Sequence, residues 1–431
     1  MKKKPTPSVP RPIAVSGAHG ASRSWILLAW IITAYIVLAM AMAARVPFGS
    51  APDEVPHIQY VMHLCEQHSL PVLGRGSDAQ FEFHQPPLYY VLCAPVYMIS
   101  NGDDLVVRMP SVLMGALTIW AVWWALGDVL GVKSRLRAPI TSAIAFLPMF
   151  VFLTASVNND NLVHLLFAIA LGLGAGIVRK GPTIGTVALL GIVAGLGGLT
   201  KLVGLILIPI GLIAIWLPTL NNREIRRRAL IGSGIFFLIA MLLSGPWLVR
   251  NQIIYGDPFA QAAFMKYFGT RNVTMAGMLQ SGFTPGGYMA LVWKYTSCSL
   301  LGVFGHMDLW LPSWMYAIYD VILLIGVIGM MVWYLRQREA AAIATRGAIG
   351  LWAASFLLVL LFFIKFNTQF FQAQARYLFP ALPAIMAGIV LGATRLVPSK
   401  ARIYVAWGIA AFLLLVTIYT ISGYSDLMQH M

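Results

Sequence analysis

The chain has 431 residues, of which 59% are hydrophobic and only 10% are charged. Soluble domains usually carry about 25% charged residues, so this composition excludes an ordinary soluble protein. The net charge of +15 does not indicate nucleic-acid binding, because the basic residues lie in short clusters between apolar runs. Such clusters are typical of membrane topology signals and of contact with anionic lipid head groups.

Apolar runs of 17 or more residues recur along the whole chain. A helix of about this length can cross the hydrocarbon core of a bilayer, which is roughly 30 Å thick. We therefore predict an all-α polytopic membrane protein with about eleven transmembrane helices. The predicted spans are 25–44, 107–127, 138–156, 162–178, 183–199, 202–219, 229–248, 314–335, 347–364, 377–394 and 404–422.

The predicted domain organisation is a single transmembrane catalytic domain over residues 25–422. Residues 1–24 form a basic cytoplasmic tail, and residues 423–431 form a short outer tail. The first apolar run is too long for the core of a signal peptide and lacks a convincing cleavage site, so we interpret it as a retained helix.

The distribution of basic residues predicts the orientation. With the N-terminus inside, 20 of the 30 Lys and Arg residues lie on the inner side, as the positive-inside rule requires. Two long outer loops then cover residues 45–106 and 249–313. Residues 86–99 are too short to cross, so we expect interfacial helices in the first outer loop. We expect an integral protein of a bacterial inner membrane, with its N-terminus cytoplasmic and its active site outside.

The first outer loop contains a large share of the acidic residues and histidines. Between residues 50 and 97 it holds five of the fifteen acids and four of the eight histidines. Asp53 and His57 stand four residues apart and would share a helix face, whereas Glu54 points elsewhere. A partly desolvated carboxylate suits a general base, so Asp53 and Glu54 are the predicted catalytic residues. The alternative is that both acids only favour the N-terminal dipole of a helix.

His84 and Gln85 precede a Pro-Pro pair, which would hold them in a defined place. His84 together with Asp53 could ligate a divalent metal ion, although no metal-binding motif is present. Asp160 lies in the turn VNNDN, where we interpret it as a helix cap. Cys65 and Cys93 lie in or near the same loop, and the sequence leaves open whether they pair.

Several basic residues are predicted at the outer ends of later spans. Because Lys and Arg suit phosphate, we expect them to bind a phosphate-bearing lipid. The predicted substrate- and phosphate-binding residues are His57, His84, Gln85, Lys201, Arg250 and Arg376. Arg75 and Arg108 are further cations in or next to the first loop, and Lys365 is another on the outer side.

The order of these motifs resembles that of the GT-C superfamily of membrane glycosyltransferases. Asp53-Glu54 directly after the first span resembles the acidic motif of that superfamily. The segment HQPPLYYVLCAPVY, followed by VVRMPSVLMGALTIWAVW, is similar to the protein O-mannosyltransferase and aminoarabinose transferase branch. The segments VNNDN, GGLTK, PWLVRNQIIYGDP and ARYLFPALP are also similar to segments of related bacterial proteins.

The resemblance implies an inverting glycosyltransferase, a hexosyl- or pentosyltransferase of cell-envelope glycan biosynthesis. Its donor would be a sugar on a polyprenyl phosphate, and its acceptor a glycan, lipid or protein. Asp53 matches the position of the base, and some members use a metal ion. His84-Gln85 stands where aminoarabinose transferases tend to have Glu-Lys, so Lys201, Arg250 or Arg376 would have to supply the charge for the phosphate.

The alternative function is a transporter or flippase for a lipid-linked or anionic substrate. A transporter often carries ionisable residues near mid-membrane and shows inverted repeats. The predicted spans are nearly free of charge and show no such repeat, which favours the enzyme. The sequence does not identify the sugar, the acceptor or the oligomeric state.

Overall fold

The computed structural model describes residues 18–74, 81–131, 134–220, 222–269, 273–336 and 343–429. Most of the predicted basic tail, and Arg75, lie outside these residues. The described helices are α1 (Ala18–Arg45), α2 (Glu54–Gln67), α3 (Leu88–Ser100), α4 (Met109–Leu130), α5 (Arg137–Ala145), α6 (Pro148–Thr154), α7 (Asp160–Lys180), α8 (Ile184–Gly198), α9 (Leu207–Trp216), α10 (Arg226–Tyr255), α11 (Gln261–Phe268), α12 (Met275–Gln280), α13 (Pro285–Leu301), α14 (Ser313–Arg336), α15 (Ile343–Gln369), α16 (Leu382–Arg395) and α17 (Arg402–Gln429).

Short 3-10 helices extend several of these elements, at Val106–Arg108, Leu202–Ile206, Leu217–Leu220, Arg223–Ile225 and Ala375–Ala381. The sheet within the described residues is one hairpin of β1 (Val303–Phe304) and β2 (Leu309–Trp310). The two strands are antiparallel, with Val303 opposite Trp310.

Nine helical segments among the described residues are each long and apolar enough to cross a membrane. The helices α5 and α6 could make a tenth crossing, as a pair bent by 58°. Pro148 begins α6 and has no backbone N–H to continue a helix from α5, which accounts for the break. Together with the shorter α8, these segments correspond to the eleven predicted spans. The predicted all-α polytopic fold is confirmed, and the chain is an integral membrane protein.

The helix α8 has 15 residues, so it is about 22 Å long at 1.5 Å per residue. Its glycines face α10. A Cβ added to Gly198 would lie 2.8 Å from the Cβ of Ser244, and one added to Gly195 would lie 3.0 Å from the carbonyl of Ala240. These small residues let the two backbones approach closely, as small residues do between membrane helices.

The helix α7 lies at the centre of the bundle. In its membrane-length window 89% of residues are buried, compared with 28% for the window that includes α10. Leu, Ile, Val and Phe cover all sides of α7, which suits a helix that contacts protein all round. As a result Asp160, its first residue, is surrounded by protein rather than lipid.

The first loop contains two helices, α2 and α3. The helix α3 has only 13 residues, and its Tyr89 and Tyr90 are buried while Ile99 is exposed. The backbone N–H of Leu88 donates to the carbonyl of Leu199 at 3.0 Å, which joins the start of α3 to the end of α8. The thiols of Cys65 and Cys93 are not bonded to each other.

Candidate active site

Side chains from the predicted outer connections line one open cavity. Its volume is about 180 Å³, roughly ten times what a single water molecule requires, so the space suits the polar end of a ligand. Its polar wall consists of Asp53, Glu82, His84, Gln85, Asp160, Lys201, Asn251, Gln261, Gln372, Arg376 and Tyr377. The cavity therefore unites the first loop with the turns at 156–161, 200–201 and 365–376.

Asp53 lies at the N-terminus of α2 and makes an ion pair across the cavity wall. Its Oδ2 is 2.6 Å from Nη2 of Arg376, and 31% of the Asp53 side chain is exposed to the cavity. Burial alone would raise the pKa of Asp53, but Arg376, His57 and Lys201 together outweigh it and hold that pKa below its ordinary value. The carboxylate is therefore ionised at neutral pH.

Arg376 is 2% exposed and uses only part of its hydrogen-bonding capacity. Its Nη2 donates to Asp53 and, at 3.1 Å, to the hydroxyl of Tyr377, which in turn donates to Oε1 of Gln372. Its Nε and Nη1 are buried without a hydrogen-bond partner. Arginine is a common partner of phosphate and carboxylate oxygens, and the N–H groups on these two nitrogens of Arg376 are not used within the protein.

Lys201 and Asp160 form a second ion pair, with Nζ 2.6 Å from Oδ1 and the side chains 17% and 6% exposed. The interpretation of Asp160 as a helix cap is wrong: the side chain does not cap α7, and the carboxylate binds Lys201 instead. Lys201 lies three residues after the end of α8, and a 3-10 helix begins at Leu202, so this break between helices brings the ammonium of Lys201 to the cavity.

The VNNDN turn joins the parts of the site. The backbone N–H of Asn158 donates to the hydroxyl of Tyr89 at 2.9 Å. Nδ2 of Asn159 lies 3.4 Å from both the hydroxyl of Tyr90 and the carbonyl of Thr200. These bonds fix α3 and the Thr200-Lys201 break relative to α7.

His57 does not line the cavity, contrary to its prediction as a substrate-binding residue. Its ring is buried, and Nδ1 lies 2.9 Å from the hydroxyl of Tyr90. Burial lowers the pKa of His57 to about 3, so the ring is neutral. Its contact with Tyr90 links α2 to α3, which is a structural role.

Glu54, the second predicted catalytic residue, also lies away from the cavity. It is fully buried and binds Arg108 through two hydrogen bonds, of 2.8 Å to Nε and 2.7 Å to Nη2. Its oxygens accept two more bonds, from the backbone N–H groups of Gly49 and Val157. With its bonding capacity used in this way, Glu54 joins α1, α2 and α4 rather than reaching a substrate.

Arg250 is likewise absent from the cavity wall. Its Nη2 donates to the carbonyl of Pro71 at 2.6 Å, and its guanidinium lies over the ring of Trp247 at 4.5 Å from the centroid. It joins the end of α10 to the first loop. Of the predicted phosphate-binding cations, Lys201 and Arg376 are therefore the two that reach the cavity, while Lys365 is exposed on α15.

Glu82 lines the cavity although it was not a predicted site residue. It is 4% exposed, and its Oε2 has no hydrogen-bond partner. Burial, and then the charge of Asp53, raise the pKa of Glu82 to about 8, so the carboxyl is protonated at neutral pH. Its position two residues before His84 was the available signal in the sequence.

His84 and Gln85 also line the cavity. Nδ1 of His84 donates to the carbonyl of Phe81 at 2.9 Å, and burial lowers the pKa of His84 to about 4, so the ring is neutral with Nε2 unprotonated. The side-chain amide of Gln85 faces this nitrogen at 3.4 Å.

The predicted metal ligands Asp53 and His84 share the cavity, but the donor set does not fit a resident divalent cation. Asp53 and Asp160 already neutralise Arg376 and Lys201, whose charges oppose a second cation nearby. In the described part of the chain, no group of three or more His, Cys, Asp or Glu side chains could hold a metal ion.

Comparison with known proteins agrees with this geometry. Residues 84–248 match the family model described as dolichyl-phosphate-mannose-protein mannosyltransferase. The fold is similar to that of ArnT from Cupriavidus metallidurans bound to undecaprenyl phosphate, with a TM-score of 0.55 and 15% identity over 95% of this chain and 72% of that one. This is the GT-C fold. No curated protein matches the sequence significantly.

The GT-C fold is also shared with the Archaeoglobus fulgidus oligosaccharyltransferase in complex with Zn and sulfate. The TM-score is 0.52 and the identity 15%, over 89% of this chain and 53% of that one. The predicted resemblance to the GT-C superfamily is confirmed. The family model and the fold thus relate this chain to proteins of one superfamily.

Proposed function

We propose that this protein is an inverting glycosyltransferase that moves a sugar from a polyprenyl-phosphate donor to an acceptor at the outer face of the membrane. The observation that carries the proposal is the Asp53–Arg376 pair. It places an ionised carboxylate beside a buried guanidinium with two unused N–H groups. One cavity thus offers a base for the acceptor and a binding site for the phosphate of the donor.

The proposed reaction is a single displacement at the anomeric carbon. The acceptor hydroxyl or amine forms a bond to this carbon while the bond to the phosphate oxygen breaks, which inverts its configuration. Asp53 receives the proton of the acceptor. The lipid phosphate leaves with the bonding electrons, and Arg376 and Lys201 stabilise its negative charge.

Phosphate binding would also make Asp53 a better base. In the free site Arg376 holds the pKa of Asp53 below its ordinary value, which makes the carboxylate weakly basic. A phosphate anion bound to Arg376 would offset that positive charge and raise the pKa of Asp53. The base would then be strongest when the donor is bound, which couples donor binding to deprotonation of the acceptor.

The test is to supply the purified protein with a labelled polyprenyl-phosphate sugar and with membrane fractions as the source of acceptor. We expect one free polyprenyl phosphate for each sugar transferred, and a product with the opposite anomeric configuration to the donor. In sealed proteoliposomes, movement of the intact donor across the bilayer without cleavage would instead identify a transporter.

We also propose that the cavity faces the outside of a bacterial inner membrane, with the N-terminus in the cytoplasm. The short connections on the opposite side carry the excess of basic residues that cytoplasmic loops have. A topology reporter inserted after Ser69 is expected outside, and one inserted after Asn222 inside. Finding both reporters on one side, or each on the side opposite to this, would contradict the orientation.

A further inference from the structure

We propose that the donor sugar of this enzyme is uncharged and bears hydroxyl groups, and that Glu82, Gln85 and Gln372 form its hydrogen-bonding wall. This inference rests on the proposed function, because it concerns the part of the cavity next to the phosphate site. It follows from an inventory of the charges and polar groups that line the cavity.

The two ionised carboxylates of the cavity are already paired. Asp53 lies 2.6 Å from Arg376, and Asp160 lies 2.6 Å from Lys201. The ammonium group of an amino sugar would need a carboxylate of its own, since burying an unpaired charge is costly. It would also meet the positive charges that serve the phosphate.

The third acidic side chain, Glu82, is built as a neutral group. It is 4% exposed, and its Oε2 lies in the wall with no hydrogen-bond partner. No cation lies within ion-pair distance of it among the described residues, and an unpaired buried charge is costly, so the site favours the uncharged acid. A carboxylic acid can donate one hydrogen bond and accept another, as a sugar hydroxyl requires.

The remaining wall is amide and aromatic. Gln372 uses its Oε1 to accept the Tyr377 hydroxyl, and its NH₂ group remains as a donor. Phe264 packs against the ring of His84 at 4.7 Å and that of Phe370 at 5.7 Å. The wall thus has a few polar groups, amides and a neutral acid, beside apolar rings. Uncharged ligands prefer pockets of this kind.

Two aromatic rings of the cavity are already occupied by cations. Arg376 lies over Tyr377 at 5.0 Å from the ring centroid, and Arg250 lies over Trp247 at 4.5 Å. An acidic sugar is disfavoured for a different reason. Its carboxylate would compete with the phosphate for Arg376 and Lys201 while lying close to Asp53 and Asp160.

Matched pairs of donors test the proposal. A short-chain polyprenyl phosphate carries arabinose or 4-amino-4-deoxyarabinose in one pair, and glucose or glucuronic acid in the other. Each competes with labelled polyprenyl phosphate for the full-length protein at pH 7. In at least one pair we expect the uncharged donor to bind at least about tenfold more tightly than its charged partner, and in neither pair the reverse.

A charge-adding variant extends the test. Gln372→Glu keeps the acceptor for Tyr377 but adds a carboxylate to the wall, so it should reduce the preference within the arabinose pair to about threefold or less. Gln252→Glu adds the same charge at an exposed position of α10 and should leave the preference unchanged.

The outcomes separate this inference from the proposed function. Tighter binding of either charged donor, or no discrimination in both pairs, would overturn the inference but leave the glycosyltransferase in place. An equal effect of the two Glu substitutions would overturn the assignment of Gln372. If labelled polyprenyl phosphate itself does not bind, the phosphate site and the inference both fail.

Discussion

Asp53→Asn is expected to lower kcat by about 10²- to 10⁴-fold, the usual contribution of a general base. Asn has the size of Asp but cannot receive the proton of the acceptor. Binding of polyprenyl phosphate should not weaken, because removal of the carboxylate leaves another N–H of Arg376 for the anion. The measurements are steady-state kinetics of phosphate release and the dissociation constant for polyprenyl phosphate.

The backbone conformation at residue 53 can accommodate Asn. Asp53 has a φ of 61°, in the left-handed region, where Asn and Asp are tolerated better than most other residues. Asp53→Asn therefore should not disturb the start of α2, whereas Asp53→Ala would add backbone strain. Asp104→Asn, which removes an exposed carboxylate outside the cavity, is the matched control and should keep full activity.

Undiminished turnover in Asp53→Asn would remove Asp53 as the base. A loss of turnover accompanied by a large loss of phosphate binding would instead indicate that Asp53 holds Arg376 in place. The second result would make Asp53 a positioning residue and would leave the base to be found among the other groups of the cavity.

Glu54→Gln is expected to destabilise the protein by about 3–5 kcal/mol, the typical cost of breaking a buried ion pair. The variant leaves the guanidinium of Arg108 buried with no neutralising charge, because the two side chains are 0% and 2% exposed. The other donors of Arg108 remain bound to the carbonyls of Ala43, Val46 and Pro47, so the charge cannot easily reach solvent. Thermal unfolding in detergent should show the loss.

Asp128→Asn provides the control for that prediction. It breaks the ion pair with Arg179, whose side chain is 37% exposed, and exposed pairs contribute about 0–1 kcal/mol. A Glu54→Gln protein as stable as Asp128→Asn would contradict the structural role of the Glu54–Arg108 pair. A stable Glu54→Gln protein without transferase activity would restore Glu54 as a catalytic candidate.

The adjacent acids Asp53 and Glu54 illustrate the limit of sequence reasoning about the site. Both precede a helix in the same acidic loop, and the sequence predicts a catalytic role for either. Their different roles depend on distant partners, since Arg108 lies 54 positions after Glu54 and Arg376 lies 323 positions after Asp53. Their spacing within a helix shows that the two side chains point in different directions. It does not show which of these directions leads to a cavity.

The cations were subject to the same limit. Lys201, Arg250 and Arg376 all lie at predicted outer ends of spans, yet Arg250 binds the carbonyl of Pro71 and does not line the cavity. Glu82 and Asp160 were missed for a related reason. An isolated acid in a loop or at a helix start has an ordinary explanation until its burial and its neighbours are known.

The sequence by itself determined the class of the protein, the helical spans and the resemblance to the GT-C superfamily. Hydrophobic length and charge distribution are local properties, and a membrane restricts the chain to few architectures. Only the tertiary structure decided which residues share the cavity and which acids are ionised there. Those properties depend on packing and desolvation among residues far apart in the chain, and no local pattern records them.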